Sequence, residues 1–460
     1  MKPPKVVFVC QECGAQAPKW AGRCTDCGAW NSLVEERVSQ EPAGGAAAGH
    51  RYSQLGASGS AKLYAEVETA NAVRLSSGIT EFDRVLGGGI VPGSLILLGG
   101  EPGIGKSTLL LQAAAHFANA AGPVLYASGE ESEHQIKSRG DRLGVGAAPL
   151  YLLSETCIER ILEEIARLKP ALVIIDSVQT VFSIKFQSAP GSIGQVREAA
   201  TQLLFAAKGQ NVPTFLVGHV TKDGSLAGPK ALEHVVDTVL YFESDASSRF
   251  RNVRATKNRF GSVGELAFFH MGESGLREVR NPSAIFLARS GAPAPGSIVT
   301  VTRDGRRPLL VELQALVDRM RFGSPRRVAQ GLDAQRIAML LAVMNRHAGV
   351  SLQEHDVFVN LVGGLEVTET ACDLPVALAL ASSLADKPIA QQMVAFGEIG
   401  LTGELRPVAY GEERLREAAK QGFNVALIPK ENAPRTPIEG LRVHELMRLE
   451  DALKFALSQG

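Results

Sequence analysis

Leu95-Ile96-Leu97-Leu98-Gly99-Gly100-Glu101-Pro102-Gly103-Ile104-Gly105-Lys106-Ser107-Thr108 reads as a short aliphatic strand, a glycine-rich turn and the opening of a helix. Residues Gly100 to Ser107 satisfy the pattern GxxxxGK(S/T) in full, and they do so between a strand and a helix, the context that pattern needs. The glycines let successive backbone N–H groups turn inward around phosphates, and the helix N-terminus adds partial positive charge. The spacing predicts that Lys106 reaches the β- and γ-phosphates of ATP and that Ser107 ligates Mg²⁺. The expected nucleotide contacts are Gly100, Glu101, Pro102, Gly103, Ile104, Gly105, Lys106, Ser107 and Thr108.

Working outward, further strand-length aliphatic runs follow at Val124 to Ala127, Leu172 to Ile175, Thr214 to Val217 and Val239 to Phe242, several of them separated by helical patterns. Continuous apolar runs alternating with helices predict an α/β fold with a mainly parallel sheet covered on both faces. Asp176 closes the run Leu172 to Ile175, which sets a carboxylate at the sheet's carboxyl edge as a Mg²⁺ partner. Glu130 and Glu131 follow the run that ends in Ser128-Gly129, and hydrolysis needs one group there to activate water. Spacing leaves both glutamates open.

Four of the six cysteines fall early, as Cys10-x2-Cys13 and Cys24-x2-Cys27. Two such pairs can chelate one tetrahedral ion, and Zn²⁺ is expected over disulfides or a redox pair. Residues 1–36 are therefore read as a four-cysteine zinc finger. An Ala/Gly/Ser-rich linker follows at 37–70, the ATPase core at 71–286 and a third α/β region at 287–460. In a chain of 460 residues, 45% apolar and 21% charged, no stretch approaches the roughly 18 apolar residues of a membrane helix. The N-terminal run Val6 to Val9 is too short for a signal-peptide core, so a cytoplasmic location without membrane contact is expected. Zero net charge gives no global case for a nucleic-acid partner.

Local cases remain. Arg249, Arg251, Arg254, Lys257 and Arg259 form one stretch without an acid, and Arg319, Arg321, Arg326 and Arg327 another. Both are compatible with phosphate contacts, although a solvated face is the plainer reading. The Ser/Gly-rich segment Phe182 to Gln195, which carries Lys185, lies just beyond Asp176.

The chain resembles the bacterial RadA (Sms) family of DNA-repair ATPases, relatives of RecA. The likeness rests on the four-cysteine finger with Trp20, Gly22 and Trp30, and on the lead-in Ser77-Gly78-Ile79-Thr80-Glu81-Phe82-Asp83. It rests further on the phosphate loop, on Val217-Gly218-His219-Val220-Thr221-Lys222 and on Lys257-Asn258-Arg259-Phe260-Gly261. The resemblance implies a RecA-like core and a hexameric ring on single-stranded and branched DNA, driving branch migration beside a RecA-type recombinase. It implies that Glu130 activates water, that His219 senses the γ-phosphate, and that Lys257 and Arg259 reach a neighbouring subunit's nucleotide. DNA contacts are implied at Lys185, Ser192, Gln195, Lys222, Arg326 and Arg327.

The third region resembles the protease domain of Lon. The position of that family's nucleophilic serine falls at Asp373, and its lysine falls near Glu412. An aspartate and a glutamate cannot form a Ser–Lys dyad, so a proteolytically inactive domain is expected. Ser382 and Ser383 lie close by in sequence. The rival readings are an ATP-dependent protease of Lon type and a signalling ATPase of the circadian-clock type.

Overall fold

The computed structural model describes residues 5–10, 16–26, 28–38, 63, 74–146, 148–186, 188–219, 230–244, 250–287, 293–320, 323–363 and 365–458. Two compact units divide the chain, Met1–Arg280 and Asn281–Gly460.

At the start of the first unit, β1 (Lys5–Cys10), β2 (Gln16–Ala17) and β3 (Leu33–Val38) form an antiparallel sheet in the order β2-β1-β3. Cys10 and Cys24 are buried against Leu33. Cys13 and Cys27 lie outside the described residues.

The helix α1 (Thr80–Val85) leads into β4 (Leu95–Gly100) and α2 (Lys106–Ala121). Strands and helices then alternate: β5 (Val124–Ser128), α3 (Glu133–Arg142), β6 (Leu150–Ser154), α4 (Ile158–Leu168), β7 (Leu172–Asp176), α5 (Ile193–Gln210) and β8 (Thr214–His219). After α6 (Lys230–Glu233) come β9 (Thr238–Glu243), β10 (Phe250–Asn258), β11 (Leu266–Gly272) and β12 (Gly275–Glu278). Among the described residues these make a nine-stranded sheet ordered β12-β11-β10-β9-β4-β8-β7-β5-β6. The portion from β9 to β6 is parallel. Alternate residues of β4 explain why it is aliphatic throughout. Ile96 and Leu98 face a core with Leu109, Leu110 and Phe117 of α2, whereas Leu95 and Leu97 face Ile161 of α4 and Val196 and Leu203 of α5. Each such buried side chain contributes about 1.5–3 kcal/mol relative to exposure.

The antiparallel extension β10 to β12 was not visible as strands in the sequence. The acid-free stretch from Arg249 to Arg259 is mostly β10, where alternation buries Val253 and Ala255 and turns Arg254 out to an ion pair with Glu243 at 3.3 Å. Arg249 lies outside the described residues.

The second unit opens with α7 (Ser283–Phe286), β13 (Ser297–Asp304), β14 (Arg307–Arg319) and β15 (Arg327–Gln330). It continues through α8 (Ala334–His347), β16 (His355–Leu361), α9 (Asp373–Ala385) and β17 (Met393–Ala395). The short hairpin β18 (Glu398–Ile399) and β19 (Leu405–Arg406) precedes α10 (Gly411–Lys420), β20 (Val425–Pro429), β21 (Arg442–Leu446) and α11 (Leu449–Ser458). Among the described residues its mixed sheet has seven strands in the order β15-β16-β14-β13-β17-β20-β21, with α9 against β14 and β13.

Candidate functional site

Strand order brings the site together. At the carboxyl edge Gly100 of β4 is in register with His219 of β8, and Ser128 of β5 with Asp176 of β7, while β7 pairs with β8. The phosphate loop, His219, Asp176 and Glu130 thus line one edge. Gly100 is required by close approach: a Cβ there would stand 2.6 Å from the Phe242 carbonyl oxygen. Gly103 and Gly105 take left-handed φ of 76° and 117°, and Lys106 begins α2 directly after them. Glu101, Pro102 and Gly103 are exposed, Ile104 is anchored in the core, and Ser107 and Thr108 are half-buried.

Lys106 is buried, and its Nζ donates to the carbonyls of Gly100 and Glu101, each at 2.8 Å. Burial pulls its ammonium pKa down to about 8 against the opposing fields of Asp176, Glu130 and Glu101. The same Nζ lies 3.3 Å from Nδ1 of His219, whose Nε2 is 3.0 and 3.2 Å from the two Glu130 oxygens. An ammonium only donates, so Nδ1 accepts and the ring proton sits on Nε2, directed at Glu130. Ser177 Oγ also donates to Glu130. These partners, His219 first, hold the Glu130 carboxyl below its ordinary range.

Glu131 points elsewhere. Its oxygens take both terminal nitrogens of Arg139, at 2.9 and 2.5 Å. Of the two glutamates that spacing left open, Glu130 is the one that meets His219 beside the phosphate loop. Asp176 is 4% exposed and accepts from the Tyr126 hydroxyl at 2.5 Å. Burial, and then the Asp176 charge, raise the Tyr126 pKa well above its usual value.

Sequence reasoning passed over Ser177 and Tyr126. Ser177 was adjacent to the strand-ending acid, a signal available in principle. Tyr126 reaches Asp176 because it pairs with Ile174, and residues 174 and 176 share a face.

Lys257 and Arg259 lie elsewhere. Lys257 is in register with Val239, itself beside Leu97, and the Arg259 N–H donates to the Asp237 carbonyl beside Leu95. That end of the sheet is about 16 Å along the strand from Gly100. Lys257 Nζ donates to the carbonyls of Val236, at 2.8 Å, and Glu233. Arg259 meets the buried Asp237 carboxylate at 3.0 Å with its side chain 55% exposed. Between them Asn258 donates to the carbonyls of Val85 and Leu86 at the end of α1, and a Cβ on Gly261 would stand 2.8 Å from the Gly87 Cα.

Beyond β7, Lys185 is exposed on a turn beside Ile184. Gln195 is 1% exposed, and its amide bonds the backbone of Ser183, Phe186 and Ser188. Ser192 caps α5 through the Gln195 N–H. The residues expected to touch DNA here thus divide into an exposed Lys185 and a pair that shapes its loop. Lys222 lies outside the described residues. Arg326 is paired with Asp356 at 2.6 Å, and Arg327 donates to the carbonyls of His355 and Leu352.

In the second unit Asp373 is buried at the start of α9, where Arg336 grips both its oxygens and the Ile399 N–H donates at 3.0 Å. Glu412 pairs with Arg416 at 2.6 Å. Ser382 accepts from the Gly296 N–H and donates to the Lys387 carbonyl, while Ser383 accepts from the Val317 N–H. Among the described residues neither serine hydroxyl bonds a lysine side chain, and both tie backbone segments together.

Fold and site define an α/β protein with an AAA-type ATPase domain, and residues 64–225 match the AAA domain family. Residues 8–35 match a rubredoxin metal-binding domain and residues 332–432 the subunit ChlI of Mg-chelatase. The chain is 51% identical to DNA repair protein RadA of Pseudomonas aeruginosa, covering 98% of this chain and 99% of that protein. It is 51% identical to that of Escherichia coli, with 98% of each covered, and 46% identical to that of Bacillus subtilis, with 99% and 100% covered. The chain belongs to the RadA family of DNA repair proteins.

Proposed function

We propose that this chain is an ATP-hydrolysing DNA motor. It binds single-stranded and branched DNA and promotes branch migration of recombination intermediates as a homo-oligomeric ring, hexameric as in RecA-like motors. It works in the cytoplasm beside a RecA-type recombinase. Lys106 binds the β- and γ-phosphates, Glu130 activates water, and His219 reports the γ-phosphate to the segment bearing Lys185. Ser107 and the buried Asp176 carboxylate are a donor set suited to Mg²⁺, which supplies charge neutralisation on the phosphates when bound. Cys10, Cys13, Cys24 and Cys27 are a thiolate set suited to structural Zn²⁺. The unit Asn281–Gly460 serves as a non-proteolytic scaffold, with Arg326 and Arg327 meeting DNA phosphates.

One observation carries the ring. Lys257 and Arg259 stand at the sheet end opposite their own phosphate loop, so any phosphate they serve belongs to another copy. The test mixes Lys106→Ala with Arg259→Ala. Each is expected to be inactive alone, and mixed assemblies are expected to regain ATPase activity where an intact loop meets an intact arginine. Mixed assemblies that form but stay inactive would sink the shared site. Stimulation of the wild-type rate by single-stranded DNA is expected, and its absence would favour a signalling ATPase.

A further inference from the structure

The chain has two tryptophans, Trp20 and Trp30, and both lie on the small N-terminal ribbon. They are 57% and 72% exposed. Two open indole rings on so small a domain call for a physical account, since single exposed apolar residues are ordinary but paired large ones mark contact sites. They are not scattered. A Cβ built on Gly22 would stand 3.8 Å from Cη2 of Trp20 and 3.9 Å from Cζ3 of Trp30, so both rings flank one glycine. The backbone fixes this arrangement: Arg23 and Trp30 form an antiparallel bridge, and the Asn31 N–H donates to the Gly22 carbonyl at 2.8 Å.

Charge accompanies the rings. The Arg23 guanidinium lies 5.8 Å from the Trp30 ring centroid and is steadied by a 2.9 Å bond from Nε to the Gly28 carbonyl, its one hydrogen bond among the described residues. Lys19 is exposed next to Trp20. Among the described residues from Gln16 to Asn31, Asp26 is the single acid.

We propose that Trp20 and Trp30 form a stacking platform for the bases of single-stranded DNA, with Lys19 and Arg23 meeting its phosphates. The inference rests on the DNA-motor reading above and adds a contact site on the ribbon. Size and charge select this occupant. The open ring area is roughly 300 Å², well short of the ~800 Å² per partner of a stable protein interface. Stacking requires only a π-face per base, and a neighbouring cation supplies the backbone contact.

The experiment uses the full-length, zinc-loaded protein and a dye-labelled oligothymidylate. Dye anisotropy reports binding, and tryptophan emission reports this patch alone, because the chain has no other tryptophan. Emission is expected to quench in step with the anisotropy rise. Trp20→Ala and Trp30→Ala are each expected to weaken binding by about 5- to 150-fold, and Trp→Phe at either position to retain most of it. Zinc content confirms that each variant's ribbon is folded. An anisotropy rise with unchanged emission and unweakened alanine variants overturns the platform and leaves DNA binding intact. No anisotropy rise overturns both. Emission that responds only when a protein partner is added makes the patch a protein interface and the proposal wrong.

Discussion

Nε2 of His219 lies 3.0 Å from Oε1 of Glu130, on the side of the ring opposite Lys106. One imidazole thus connects the lysine proposed to bind phosphate to the glutamate proposed to activate water. Glu130→Gln is expected to lower ATP turnover by roughly 10²–10⁴-fold while ATP binding stays near wild type. His219→Ala is expected to lower turnover less and to weaken its response to DNA. Steady-state ATPase assays with nucleotide-binding titrations check both. A Glu130→Gln variant with normal turnover would remove this residue from the mechanism.

Ser177 and Tyr126 orient the two carboxylates of the site without contacting one another's target. Ser177→Ala removes a donor to Glu130 and is expected to reduce kcat with KM little changed. Tyr126→Phe leaves the buried Asp176 short of a donor and is expected to destabilise the domain by about 1–3 kcal/mol, read from denaturant midpoints.

In the second unit, Arg336→Leu strips the partner from a buried carboxylate. A loss of about 3–5 kcal/mol is expected, measured by chemical unfolding. Asp373→Ser restores the hydroxyl without a lysine base, so no hydrolysis of an unfolded protein substrate is expected from it.

Glu404 gives a pH signature. Bonds from Thr402 and from its own backbone N–H, and then from Arg406, hold its carboxyl at about 2, below the ordinary 4.5. A depressed folded-state pKa stabilises fully above the unfolded value and fades as pH falls through the folded one. The melting temperature of wild type should exceed that of Glu404→Gln at neutral pH, and the gap should close between about 4.5 and 2.

The parallel core was legible because its strands are buried on both faces and so read as unbroken aliphatic runs. The phosphate loop, Asp176 and the glutamate pair followed from where those runs end. Strand β10 was not legible, since its basic residues at 251, 254 and 257 resemble a charge run until Val253 and Ala255 are seen to pack inward. The choice of Glu130 over Glu131 needed the resemblance or the fold, because Arg139 captures Glu131 from the next helix. Gln195 was expected to touch DNA, and only packing reveals an amide enclosed by three backbone carbonyls. Arg336 carried no sequence signal at all, being 37 residues from the aspartate it neutralises.

Within Lys257-Asn258-Arg259-Phe260-Gly261, the residues alternate in duty. Asn258 and Gly261 clasp the end of α1 and the glycines after it, while Lys257 and Arg259 project from the other side of the same few residues. The signature thus pins the lead-in helix as well as carrying the two cations proposed to serve a neighbour. Deleting or scrambling it as a block would loosen the chain's own lead-in helix along with any reach toward a neighbour. Single substitutions at 257 and 259 are the clean instruments, and a lesion at Asn258 or Gly261 should register as an unstable protein rather than a slow one.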